Sequence, residues 1–139
     1  MSKVILKTMS LVVDGVDLSK RCTQVAIDMP DEEVDLTTFQ ATNKQTGKGL
    51  GDASIAATFI QDYAASQVDE TLWPLKNSEE PFFVEVKPFS GAKSATNPLY
   101  KQESLMFGYT PVSGTPGQAS TIQVTFKNVG SQGIERIIS

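Results

Sequence analysis

The sequence predicts a mainly β fold, an antiparallel β-sandwich or small barrel with one short flanking α-helix. Three observations carry this expectation. Apolar residues recur at every second position along residues 22–29, 53–61, 82–87, 99–109 and 120–127, the pattern of strands buried on one face. Stretches rich in Gly, Pro, Asn and Ser separate these runs. Only the segment around Val68 and Leu72 spaces apolar residues four apart and then meets a proline, as a short helix would.

Taken in order, residues 3–13 hold Val4, Leu6, Met9, Leu11 and Val13 as apolar candidates, and Asp14-Gly15 behind them is a tight-turn signal. Along 22–29, Thr23, Val25, Ile27 and Met29 form the expected core face, opposite Cys22, Gln24, Ala26 and Asp28. Residues 40–51 are polar and glycine-rich without a period, and they read as a long mobile loop. Residues 53–61 turn Ala53, Ile55, Ala57 and Phe59 inward, with Ser54, Ala56, Thr58 and Ile60 outward. Ser66 is the expected N-cap of the helix, Asp69 stands three residues on in a capping-box relation, and Pro74 should stop the helix near Trp73. Phe59, Leu72 and Trp73 are the expected anchors of the core and helix.

Pro81 and Pro88 bracket a strand in which Phe82, Val84 and Val86 alternate with Phe83, Glu85 and Lys87. After the irregular residues 90–98, the strand 99–109 is expected to bury Leu105, Phe107 and Tyr109. Residues 113–117 are a breaker-rich turn, and the strand 120–127 sets Ile122, Val124 and Phe126 against Thr121, Gln123 and Thr125. The tail 130–139, with Ile134, Ile137 and Ile138, reads as an extra strand or an arm onto a neighbour. No repeat or linker divides the chain, so residues 1–139 are expected to form one domain.

Composition excludes more than it selects. There is no histidine, which removes the commonest general base, Ser-His-Asp and Cys-His arrangements and every imidazole metal ligand. One cysteine, Cys22, can form neither an internal disulfide nor a thiolate zinc site, which suits a reducing compartment. A formal charge of −4 disfavours binding to nucleic acid. No apolar run suggests a membrane span or a signal peptide.

The candidate sites are weak by chemistry. Asp31-Glu32-Glu33 with Asp35, and Glu79-Glu80, could supply paired carboxylates, but both adjoin prolines and read as solvated turns. Asp14-Gly15-Val16-Asp17 lacks the further ligands of a calcium loop. Gly47-Lys48-Gly49-Leu50-Gly51 lacks phosphate-loop spacing. No catalytic residue, cofactor or metal is expected, and function should lie in assembly or binding.

Several stretches resemble, in order, the major tail tube proteins of long-tailed (siphovirus-type) bacteriophages. They are Val34-Asp35-Leu36-Thr37-Thr38-Phe39, the block from Phe59 to Leu75 (FIQDYAASQVDETLWPL), Val84-Glu85-Val86-Lys87-Pro88, Ser94-Ala95-Thr96-Asn97-Pro98-Leu99-Tyr100 and Tyr109-Thr110-Pro111-Val112-Ser113-Gly114. The resemblance implies the phage tail tube fold and a structural virion protein. Its copies would form hexameric rings stacked into a hollow tube through which the genome passes. Partners implied are further copies of the chain, a tape measure protein, a tail tip and a tail terminator. DNA would pass through the lumen without specific binding, and assembly would take place in the bacterial cytoplasm with no membrane involved.

On this reading, Gln24, Asp28, Thr121, Gln123 and Thr125, which alternate with apolar positions, are candidates for the lumen; outer solvent is the alternative. Relatives use a long hairpin or loop near residues 40–51 to grip the next ring, which makes Asn43, Lys44, Gln45, Thr46 and Lys48 inter-ring candidates. Two other readings stand beside this one. The chain could be a minor tail or tail-end protein of the same fold, or a monomeric sandwich that binds through exposed aromatics.

Overall fold

The computed structural model describes residues 8–139, so the candidates Val4 and Leu6 lie outside the described residues. Ten strands and one α-helix follow in the order β1 (Ser10–Val13), β2 (Val16–Asp17), β3 (Cys22–Asp28), β4 (Asp31–Asp35), β5 (Thr46–Gly51), β6 (Ser54–Ile60), α1 (Val68–Lys76), β7 (Phe82–Lys87), β8 (Leu99–Met106), β9 (Thr121–Asn128) and β10 (Ile134–Ile137). The architecture is the mainly antiparallel β fold with one flanking helix that the alternation predicts. Seven strands follow the path β2-β1-β7-β8-β9-β6-β3, and β10 joins β8 to complete an eight-stranded sheet. Strands β4 and β5 pair separately as a two-stranded hairpin.

The turn between β1 and β2 is the expected Asp14-Gly15 pair, with φ of 49° and 80°. Positive φ at both central residues is the type I′ geometry, whose twist suits a two-residue hairpin. The sheet curls so that its inner face closes over one core. Phe82 of β7 and Phe126 of β9, two strands apart, meet edge to face with ring centroids at 5.9 Å. Leu11, Val13, Ile55, Phe59, Val84, Ile122 and Val124 fill the same space, and α1 covers it with Val68, Leu72 and Leu75. Phe59 and Leu72 are fully buried.

Six sequence expectations are corrected. Trp73 is not a core anchor: Leu72 takes the inward position of α1, and Trp73 faces out at 54% exposure. Pro74 does not stop the helix, which runs on to Lys76 with the proline inside it. The missing proline N–H removes only the bond to the Glu70 carbonyl, in a helix near its end. Ser66 is not the cap but sits at φ 61°, and Gln67 holds the cap position without a side-chain bond. The Asp69 side chain, expected in a capping box, instead accepts a hydrogen bond from the Tyr109 hydroxyl at 2.8 Å.

Register explains the other two. A bulge between Cys22 and Gln24 resets β3, so Cys22 packs against the core while Thr23 is exposed. Met29 lies past the strand end and is exposed too. Strand β8 shows the opposite phase to the one expected: Gln102, Ser104 and Met106 point inward, and Phe107 is 71% exposed beyond the strand. Buried polar groups are tolerated where they pair. Gln102 Nε2 donates to Ser104 Oγ and to the Phe126 carbonyl, both at 2.8 Å, while Gln102 Oε1 is buried without a hydrogen-bond partner.

Candidate functional site

Two surfaces stand out because the core does not account for them. The first is the outer face of β3, β6 and β9. Register places Gln24 beside Thr58 and Thr58 beside Gln123, Ala26 beside Ala56 and Ala56 beside Thr125, Asp28 beside Ser54 and Ser54 beside Lys127. Thr121 extends the face next to Ile60. All five residues expected from their alternation to share a role, Gln24, Asp28, Thr121, Gln123 and Thr125, therefore lie on one face of three adjacent strands. Each is exposed.

This face is polar and close to neutral. Its only charged members are Asp28 and Lys127, at opposite ends of one cross-strand row, and Lys127 also approaches Asp52 at 3.6 Å. Hydroxyls, amides and methyls make up the remainder. Such a face offers hydrogen-bonding groups in every direction but no cluster of cations to hold a phosphate chain. Beside it, strand β3 is an end strand of the sheet, paired on one side only.

The second surface is the hairpin. Residues 40–51, expected to be a mobile loop without a period, are half strand: β5 pairs with β4 through Asp31↔Gly51, Glu33↔Lys48, Val34↔Gly47 and Asp35↔Thr46. Asp31–Asp35 is correspondingly a strand rather than a solvated turn, though every residue of it is exposed. The far end is ordered by local bonds. Leu36 N–H donates to the Gln45 carbonyl at 2.8 Å, Gln45 N–H to Thr37 Oγ1 at 2.8 Å, and Ala41 N–H closes a turn on the Thr38 carbonyl at 3.1 Å. Thr37 N–H donates to Asp35 Oδ1 at 2.9 Å, a bond that holds the Asp35 carboxyl below its usual range.

The glycines have a geometric reason. A Cβ on Gly47 would sit 2.7 Å from Leu36 Cδ1, and one on Gly49 would sit 3.0 Å from Glu32 Cβ and 3.1 Å from Val34 Cγ2. Side chains of β4, and of Leu36 just beyond it, thus lie across the bare backbone of β5. The spacing of Gly47, Gly49 and Gly51 by two is the signal that could have revealed a strand here, because glycine on one face leaves Lys48 and Leu50 on the other. Asn43, Lys44, Gln45, Thr46 and Lys48 are all exposed on this hairpin. Apolar residues are exposed with them: Val34, Leu36, Phe39 and Leu50. These four were not anticipated from the sequence as surface features.

A polar cluster braces the end of the sheet remote from the hairpin. Gln61 Nε2 donates to the Tyr109 hydroxyl at 3.1 Å and the Pro111 carbonyl at 2.7 Å, and Tyr63 donates to the same carbonyl at 2.7 Å. Arg21 Nε donates to Asp62 Oδ2 at 2.8 Å, and the Ala64 N–H followed by Arg21 lowers the Asp62 carboxyl from its ordinary value. Burial, reinforced by Asp69, pushes the Tyr109 phenol up to about 12. These groups fasten loops to one another. Among the described residues no group of three or more His, Cys, Asp or Glu side chains converges as a metal site. Cys22 is partly buried, which pushes its thiol up and away from reactivity.

No protein-family model matches this chain, and no curated protein matches it in sequence. Solved structures match it in shape. A chain from the tail of an empty gene transfer agent particle, refined helically with C6 symmetry, aligns at 15% identity over 92% of this chain and 92% of its own, with a TM-score of 0.68. A chain from the sheath/tube terminator of an extracellular contractile injection system, PVC, in its extended state aligns at 8% identity over 98% and 97%, with a TM-score of 0.73. Hcp1 from Flavobacterium johnsoniae aligns at 18% identity over 96% and 97%, with a TM-score of 0.57. Across this distance in sequence, the chain is similar to these proteins over nearly its whole length, and its fold is the tail tube fold that the sequence resemblance implied.

Proposed function

We propose that this chain is a structural, non-enzymatic tube protein. Its copies form hexameric rings that stack into the hollow tail tube of a phage-like particle, and the tube conducts a genome. The observation that carries the reading is the hairpin β4–β5, which exposes Val34, Leu36, Phe39 and Leu50 on an otherwise ordered structure. A monomer gains nothing from holding such a surface in water, whereas a second copy can cover it. The six-fold tail of the gene transfer agent particle, built on the same fold, supports the ring number.

The remaining parts follow from that role. Edge pairing by β3 with a neighbour in the ring leaves no free sheet edge. The near-neutral face of β3, β6 and β9, with Gln24, Asp28, Thr121, Gln123 and Thr125, lines the lumen and lets DNA slide past. The hairpin, with Asn43, Lys44, Gln45, Thr46 and Lys48, reaches the next ring, and residues 130–139 add strand β10 to the same unit. A tape measure protein, tail tip and tail terminator complete the tail within a virion assembled in the bacterial cytoplasm. A tail-end role is the second reading, favoured by the match to a sheath/tube terminator.

Electron microscopy of the purified protein, concentrated and seeded, tests both. Long tubes of stacked rings are the expected result. Single rings that cap seeds without extending would favour the tail-end role, and monomers at every concentration would refute assembly.

A further inference from the structure

Strands β9 and β10 run along the same edge of β8, one behind the other, and the register between them is broken. Ser104 stands opposite Asn128, and the Val129 N–H still donates to the Glu103 carbonyl at 2.9 Å, so an unbroken ladder would set Gln102 opposite Gly130. Gln102 stands opposite Ile134 instead, four residues on, and residues 130–133 are looped out. The loop is held lightly. The Asn128 side chain donates to the Gly130 carbonyl at 2.8 Å and accepts from the Gly130 N–H at 3.2 Å, and open clefts of about 390 and 100 Å³ flank the loop. Behind it, β10 buries no residue fully, and the ion pairs of the described residues lie elsewhere. The buried Gln102 Oε1 that lacks a hydrogen-bond partner belongs to the first rung of β10.

We propose that the C-terminal strand has two registers on β8, four residues apart, and that assembly switches it from one to the other, freeing residues 134–139 as an arm that binds a second copy; the inference rests on the tube reading above. Parity permits the slip. Neighbouring strand residues point to opposite faces, so a shift of four leaves every side chain on the face it had. In the slipped register residues 130–133 straighten and pair with Gln102, Lys101, Tyr100 and Leu99, which keeps four rungs, as many as β10 makes now. Pro98, with no N–H, lets the ladder go no further. Residues 134–139 then project past the sheet, by about 20 Å when extended. They carry Ile134, Ile137 and Ile138. Each register has its own advantage. The closed one packs Ile134 against the core, whereas the slipped one relaxes the loop and opens Gln102 to water. In a lone chain the isoleucines of the arm favour the closed register, which shelters them from water; a second copy that covers them favours the other.

A reversible lock tests it. In a Cys22→Ser background, Lys101→Cys with Glu135→Cys joins two residues that face each other only in the closed register. The oxidised protein should stay monomeric, and reductant should restore tubes. Tyr100→Cys with Gln132→Cys, opposite each other only after the slip, should cross-link in tubes and not in the monomer. Deleting residues 130–133 leaves Ile134 opposite Gln102 with no slack. That monomer should melt no lower than wild type, while its critical concentration for tubes rises about tenfold or more. Ile138→Asp, at an exposed position, should leave melting unchanged and weaken assembly to a similar degree. Tubes formed equally well by the oxidised lock and by the deletion overturn the slip while leaving the tube reading intact. A wild-type protein that never forms rings or tubes overturns both.

Discussion

Tyr109 shows how a single hydroxyl ties three segments together. It donates to Asp69 at the start of α1 and accepts from Gln61 at the end of β6, while its own residue lies just past β8. Its pKa is raised to about 12, by burial first and by Asp69 after it. A folded-state value above the unfolded value near 10 means that the contribution is fully present below pH 10 and is lost as pH rises towards 12. Tyr109→Phe should therefore cost about 1 kcal/mol at pH 8, where the hydrogen bonds are intact. It should also flatten the fall in stability between pH 10 and pH 12; thermal melts of both proteins across that range check this. Nothing in the sequence marks this bond, because the partners lie 40 and 48 residues away and Asp69 has a plausible local role as a capping residue. Where a side chain's meaning is local, as with Asp14-Gly15, residue types alone suffice. Where it depends on a distant partner, as with Gln102 and Ser104 replacing apolar residues in β8, alternation points to the wrong face.

Elements were legible in proportion to how strongly one face is buried. Strands β6, β7 and β9 alternate between buried and half-buried or exposed positions, and their phase could be assigned residue by residue. Strands β4 and β5 bury nothing, so no apolar period announces them, and glycine normally argues against a strand. Strand β5 instead has Leu36 lying over Gly47 and the β4 residues Glu32 and Val34 lying over Gly49. This leads to an element-scale prediction. Gly49→Val would place a Cβ 3.0 Å from Glu32 Cβ, between two strands that have no second layer to hold them. The hairpin should splay, while the core, to which it contributes no buried residue, keeps its stability to within about 0.5 kcal/mol. Circular dichroism melts together with pelleting of assembled protein separate the two effects: melting unchanged, pelleting reduced. Equal loss in both would mean that the hairpin supports the body of the fold.

At the scale of the whole molecule, the polar face of β3, β6 and β9 and the hairpin lead away from the core in different directions, one as a broad wall and the other as a narrow projection. A tube needs both, because closing a ring and stacking rings require separate contacts. In the tube proposed above, this face lines the lumen and has to pass a polyanion without gripping it. Each cation placed against a phosphate releases counterions and adds affinity that depends steeply on salt, so a conducting wall must stay short of cations. Here only Lys127 is cationic on that face, and it is offset by Asp28 and Asp52. Changing Gln24 and Asp28 to lysine in each of six copies would raise the net charge of a ring by eighteen, from 6 × (1 + 2), without touching the core or the hairpin. Tubes should form at normal length, and passage of DNA through them should slow by about tenfold or more at low salt and recover as salt rises. Ejection followed by dye entry into DNA, measured over a salt series, reads this out. A rate independent of both the lysines and the salt would place this face on the outside of the tube.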